Sequence, residues 1–401
     1  MILTASVTSA FPQEVLHKKS CDLPPELTGV SGHALMRYKV NPMGYVNYVE
    51  SAYAQVEPPG RTQDLVAHLQ GCLKQWKYRP GGELDILLGF HYFGPIQGTP
   101  EMSSLPDGRK VPLSHLQDLR EAKLRFADHL LAGPDLREVT GQGWTLRTNV
   151  RSDEREALVS AIELADQSFQ LAFPRRGGSG GQPVTVLVFG AVDPFRKVSA
   201  FDNLYVRFTP GGQYLPDERI AYTYASRRDA PLKISQQYVS HEVTHHFVHD
   251  RLAPSGRRTP YWIDEGIATY IELLRPPKKD KLDRFKFLRG RQKEGPFSWN
   301  ARSEVYLESF ERHAGHLPDP AHFLQGQFKD IDVELAYGLS WILVHYLING
   351  EQGSLYEPFV TWMTQTMGTP GDPGLASALN RTPDQIFSAL STHAAAMKRG
   401  G

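Results

Sequence analysis

Only two cysteines, Cys21 and Cys72, occur in 401 residues. That excludes a zinc site built from thiolates, which needs about four Cys and His ligands, and leaves either one disulfide or two separate thiols. Charge of one sign is not in excess either, since Lys plus Arg and Asp plus Glu number 44 each. No global field draws in polyanions, so no nucleic-acid partner is expected. Long hydrophobic runs are also missing. One of the longest, Trp341 to Ile348, is broken by His345 and falls far short of the roughly 20 apolar residues of a membrane-spanning helix, so no membrane span is expected. What remains, 40% hydrophobic and 22% charged residues, is ordinary globular composition. The length predicts two domains, or one domain with a large appendage.

Residues 1–20 read as an N-terminal tail. Met1 to Ala10 is mildly apolar and ends in small residues without a basic segment, as the remnant of a secretory signal would. Residues 21–95 predict a small β-β-α-β module. Ala34 to Val40 alternates, Asn41-Pro42-Met43-Gly44 is a turn, and Tyr45 to Ala54 is extended again. Leu65, Val66, Leu69, Leu73 and Trp76 then recur at helical spacing, and Leu84 to Phe93 reads as a further strand. Through Gln75-Trp76-Lys77-Tyr78-Arg79-Pro80 followed directly by a strand, this module resembles the C-terminal domain of TonB-like envelope proteins. The resemblance implies a non-catalytic module that docks an envelope protein partner through residues 21–95. It also implies a periplasmic or secreted location, the alternative being the cytoplasm.

Residues 96–142 read as a connector with a charged helical stretch from Ser114 to Leu131. A second domain, 143–400, opens with a strand from Trp144, a helix from about Asp153 to Phe173, the Gly-rich loop Arg175 to Gly181 and a buried strand, Val184 to Phe189. The loop precedes a strand and lacks Gly-Lys-Ser/Thr, which argues for a surface connection and against a phosphate cradle. Two extended runs, Leu204 to Phe208 and Arg219 to Ala225, come before a chain that stays helical to the end. The expected class is α+β.

The chemistry concentrates in Ser240-His241-Glu242-Val243-Thr244-His245. His241 and His245 are four apart, so on a helix both imidazoles leave one face and can bind one metal ion, with Glu242 beside its open position. Neutral imidazoles suit Zn2+, which acidifies a bound water, and Glu242 is placed to act as general base. Val248 and Arg251 stand where a metzincin needs Gly and His, which excludes that class. His249 lies about 12 Å along the helix from His241, too far to share an ion. The third ligand is sought in Tyr261-Trp262-Ile263-Asp264-Glu265-Gly266-Ile267-Ala268, on a second helix beginning near Asp264.

The two-histidine helix followed by Trp-x-x-Glu-Gly-x-Ala resembles the gluzincin metallopeptidases, most of all the peptidase-MA-like domains of bacterial proteins, over Trp144 to Leu390. The resemblance implies a zincin-like domain of small sheet, active-site helix and helical C-terminal subdomain. It implies one Zn2+ per chain on His241, His245 and Glu265, with Glu242 as general base and Tyr337 as the hydroxyl that stabilises the oxyanion. Tyr270 and His345 compete for the last role. Asp264 is the alternative ligand, or else a helix cap or a group orienting a histidine. The Gly-Ala-Met-Glu-Asn segment of zinc aminopeptidases has no counterpart at Gly211-Gly212-Gln213-Tyr214, so aminopeptidase specificity is not expected. The extended run Arg219 to Ser226 is a candidate edge strand for a docking peptide.

The expected function is therefore zinc-dependent hydrolysis of peptide bonds in a peptide or protein substrate. Two alternatives stand beside it. One is a catalytically inactive zincin-fold scaffold of the envelope, against which the intact Glu242 argues; the other is a metal-dependent hydrolase of non-peptide amides or esters.

Overall fold

The computed structural model describes residues 2–3, 15–93, 102–104, 110–174, 183–201, 211–225, 232–252, 259–273, 301–327, 331–369 and 371–400. Most of the expected N-terminal tail, the Gly-rich loop and the run 204–208 lie outside these residues. The fold is α+β, and the chain divides into two units, Met1–Leu136 with Phe189–Pro210, and Arg137–Val188 with Gly211–Gly401.

In the first unit the elements are β1 (Ile2–Leu3), β2 (Val15–His17), β3 (Ser31–Val40), β4 (Val46–Glu57), α1 (Thr62–Leu73), β5 (Lys77–Tyr78), β6 (Leu84–Tyr92), β7 (Met102–Ser104), β8 (Lys110–Pro112) and α2 (Leu113–Leu131). The main sheet is antiparallel in the order β1-β6-β3-β4. Its hairpin turns at Asn41, whose Oδ1 accepts from the amides of Met43 and Tyr45 at 3.1 and 3.0 Å, the local bonding that suits Asn to turns. Helix α1 buries Leu65, Leu69, Cys72 and Leu73. Cys72 is disulfide-bonded to Cys21, fastening the segment before β3 to the helix. The Trp76 indole donates to the Lys19 carbonyl at 3.0 Å in the same corner.

The second unit contains β9 (Arg137–Gly141), β10 (Trp144–Thr148), α3 (Ser152–Ala172), β11 (Val184–Phe189), and, after α4 (Val192–Phe201), β12 (Gly212–Leu215), β13 (Ile220–Tyr224) and α5 (Leu232–Phe247). Helices α6 (Tyr261–Leu273), α7 (Ala301–Arg312), α8 (Pro320–Leu324), α9 (Val333–Asn349), α10 (Tyr356–Gln365), α11 (Gly374–Ala378) and α12 (Pro383–Gly400) follow. The sheet order is β12-β13-β11-β10-β9, with β10 and β11 parallel and α3 as their crossover. This order corrects one expectation: β13, within the run 219–226, has neighbours on both sides, and the edge beside it is β12. Helix α5 packs between α3 and α6, and α6 packs on α9. A Cβ at Gly266 would lie 2.5 Å from the Ser340 carbonyl oxygen, so only glycine permits this approach of α6 to α9.

Helix α4 belongs to the first unit, although it lies between β11 and β12 in sequence. It buries Phe195, Val198 and Phe201 and packs against α2 and β6. The division therefore differs from a connector at 96–142 and a boundary at 143. Helix α2 buries Leu116, Leu119, Ala122 and Phe126, too much apolar surface for a solvated linker. The short α4, with Pro194 in its first turn, gave too little periodicity to be read.

Two outcomes are expected for the first unit. Replacing both cysteines by alanine should lower its stability by about 4 kcal/mol, the loop-closure cost for bridging residues this far apart, read from urea unfolding. The second concerns the buried His33 and His91, whose Nδ1 atoms are 2.9 Å apart. Burial above all lowers their pKa values from 6.5, to about 2 and about 3. Below pH 6.5 the unfolded chain binds protons that this pair refuses until near pH 3, so stability should fall as pH drops through that window. The slope should be shallower in His91→Gln.

Candidate metal centre

Helix α5 presents the site from a face that the core fixes. Val239, Val243, Phe247 and Val248 are buried, and the side chains of Gln236 and Ser240 donate to the carbonyls of Ala157 and Ala161 on α3 at 3.1 and 3.2 Å. His241 and His245 then leave the opposite face one turn apart, with ring centroids 4.8 Å from each other. Opposite them runs α6, anchored by Trp262. Its indole donates to the Leu324 carbonyl at 2.9 Å, and its ring stacks on Trp362 at 6.3 Å.

Between the helices, Glu265 Oε2 lies 3.1 Å from His241 Nε2 and 3.6 Å from His245 Nε2. Ligand atoms of these three buried residues all fall within 4.8 Å of one another, the only such group among the described residues. The other ring nitrogens face outward from this point. His241 Nδ1 donates to Glu272 Oε2 at 3.0 Å. His245 Nδ1 stands 2.8 Å from Asp264 Oδ1, an ion-pair distance whose alignment falls short of a hydrogen bond. Asp264 Oδ2 also reaches His249 Nε2 at 3.3 Å.

Asp264 is thus no helix cap. Helix α6 begins three residues earlier, at Tyr261, where the Pro260 carbonyl accepts from the Ile263 and Asp264 amides. Its carboxylate holds His245 instead, and the direct approach to Nε2 comes from Glu265. Glu272 was not singled out in the sequence, yet a signal exists: it follows Glu265 by seven residues, two helical turns, and so shares its face. Tyr214 was likewise unassigned. From the edge strand β12 its ring lies parallel to His245 at 6.4 Å, and its hydroxyl is 3.2 Å from His246 Nδ1.

Glu242 is buried beside β12, where a Cβ at Gly212 would lie 2.6 Å from Glu242 Cγ. Tyr337, on α9, has its ring 6.2 Å from that of His241 and its hydroxyl hydrogen-bonded to Tyr261. Burial, then the charge of Glu265, hold the Tyr337 pKa well above 10.0, so the hydroxyl keeps its proton. The competitors point elsewhere. The Tyr270 hydroxyl accepts from Asn349 at 3.3 Å, and His345 Nδ1 is 2.7 Å from His393 Nε2.

The residues present fit a divalent cation. Burial opposes protonation of both imidazoles, yet their carboxylate neighbours outweigh it and raise His241 to about 9 and His245 to about 10. Burial opposes ionisation of Asp264, yet the two histidines hold it far below the carboxylate range. Four acidic side chains, Glu242, Asp264, Glu265 and Glu272, face two histidines. Such a set is costly to bury without a cation at its centre. With each Nδ1 directed at a carboxylate, a cation taking the place of the proton on each Nε2, which now faces Glu265, would find neutral ligand atoms there, the arrangement that metal-binding histidines use.

No family model matches the chain, and no curated protein matches it.

Elemental analysis of the purified protein should find about one zinc per chain, absent from Glu265→Ala and retained by Asp264→Ala. Removing the outer carboxylate in Glu272→Ala should weaken zinc binding about 10- to 100-fold, measured by competition with a chelator.

Proposed function

We propose that this protein is a zinc-dependent metallopeptidase. The observation that carries the reading is the convergence of His241 Nε2, His245 Nε2 and Glu265 Oε2 on one buried point, with Glu242 packed beside them. Three protein ligands leave a position open for water or substrate, whereas a structural zinc site is filled by four.

When bound, Zn2+ would lower the pKa of water and polarise the scissile carbonyl. The chain's own residues supply the rest. Glu242 accepts a proton from the attacking water and delivers it to the leaving amine. The Tyr337 hydroxyl donates a hydrogen bond where negative charge develops on the carbonyl oxygen, and Tyr261 holds that hydroxyl in place. Strand β12 offers a sheet edge along which an extended peptide can add by backbone hydrogen bonds, and the missing Cβ at Gly212 lets Glu242 pack against that strand. Glu272 and Asp264 keep the imidazoles in the tautomer and orientation that ligation needs.

The same proposal places the protein in an oxidising compartment, the periplasm or the exterior. Its support is the Cys21 to Cys72 disulfide.

Denatured proteins and peptides, with cleavage sites mapped by mass spectrometry, provide the assay. Glu242→Gln should keep its zinc and lose about 10²- to 10⁴-fold in rate. Tyr337→Phe should lose about 10²- to 10³-fold in kcat with KM little changed. Cleavage that persists undiminished in Glu242→Gln would overturn the mechanism.

A further inference from the structure

The first unit carries a cleft of about 240 Å³, bordered by the buried His33, Tyr92 and Phe93 and by the exposed Glu57, Asp118 and Arg125. It is smaller than the roughly 300 to 1,000 Å³ of sites for drug-sized ligands, and so suits a group the size of one side chain.

The hydrogen bonds behind His33 fix what it offers to the cleft. His91 Nε2 is 2.7 Å from the Phe201 carbonyl oxygen, at the last residue of α4. A carbonyl only accepts, so that nitrogen carries the proton. In a neutral His91, Nδ1 is then the acceptor, and the hydrogen between the two Nδ1 atoms belongs to His33. His33 Nε2 is left with a lone pair. It has no protein partner among the described residues, and His33 is 7% exposed. Burial foremost keeps both rings neutral, in line with this assignment.

The charge around the cleft is negative on balance, with Glu57, Asp118 and Glu121 against Arg125, whose positive charge also reaches His33. Arg125 is 3.6 Å from Glu121, whose side chain also borders the cleft. Glu57 and Asp118 have no ion-pair partner among the described residues. A bare lone pair, two uncompensated carboxylates and two aromatic walls together ask for a cation that donates hydrogen bonds. Among the described residues no three potential ligand atoms converge here as they do at His241, His245 and Glu265, so nothing here points to a compact metal ion.

We propose that this cleft binds a protonated amine or guanidinium group of side-chain size. His33 Nε2 accepts one of its N–H bonds, Glu57 and Asp118 balance its charge, and Tyr92 and Phe93 flank its alkyl stem. The group belongs either to a free polyamine or to a Lys or Arg side chain of a peptide.

The test uses the full-length protein with 15N-labelled histidine. The His33 signal, assigned by its loss in His33→Gln, is followed on adding spermidine in one arm and the peptide acetyl-Gly-Lys-Gly-amide in the other. At least one should shift His33 Nε2 saturably; spermidine alone identifies a free polyamine, and the peptide identifies a basic chain segment. The same peptide with an acetylated lysine should not bind. The double variant Glu57→Gln, Asp118→Asn, altered only at exposed positions, should bind roughly fivefold more weakly. No shift with either amine, equal binding of the acetylated peptide, or wild-type affinity in the double variant would overturn the proposal.

Discussion

The second unit depends on the distance between α5 and α6. Each helix alone carries groups of little consequence, His241, His245 and Glu242 on one and Asp264, Glu265 and Glu272 on the other. Held at packing distance, Glu272 accepts from His241 Nδ1, Asp264 stands at ion-pair distance from His245 Nδ1, and the two Nε2 atoms face Glu265. Several features are best understood as ways of holding that distance. Gly266 lets α9 close against the far side of α6, Trp262 is locked by Leu324 and Trp362, and α3 takes hydrogen bonds from the back of α5.

Such a site works against the stability of its surroundings. Carboxylates and imidazoles at this depth contribute repulsion and lost hydration, which the large apolar cluster running from Trp144 to Met397 must offset. A cation that binds only the folded form shifts that balance in favour of folding. Occupancy of such a site by a cation and the stability of this unit would thus be coupled through the same few residues.

Local pattern carried much of this in the sequence. The helix α5, with its apolar backing and two histidines four apart, was legible because spacing alone sets which face a side chain leaves. Strands β6, β10 and β11 were legible for the matching reason, their run lengths and flanking turns. What could not be read was nonlocal. The partner of β13 across the sheet, the reach of Asp264 to His245 and of Glu272 to His241, and the return of α4 to the first unit all depend on tertiary placement. Tyr214 was missed because a lone tyrosine on a four-residue strand has no period to mark its face. The start of α6 was misjudged because Pro260, four residues before the first acidic side chain, supplies the accepting carbonyl itself.

The path of α4 bears on how the protein is made. An N-terminal unit usually folds while the remainder is still being synthesised, but this one lacks a helix that is encoded after β9, β10, α3 and β11. The sheet of β3, β4 and β6 can form early. Its covering by Phe195, Val198 and Phe201, and the carbonyl that orders His91 and His33, must wait until Phe201 has left the ribosome. Until then the apolar surface of the first unit that α4 covers is without that cover.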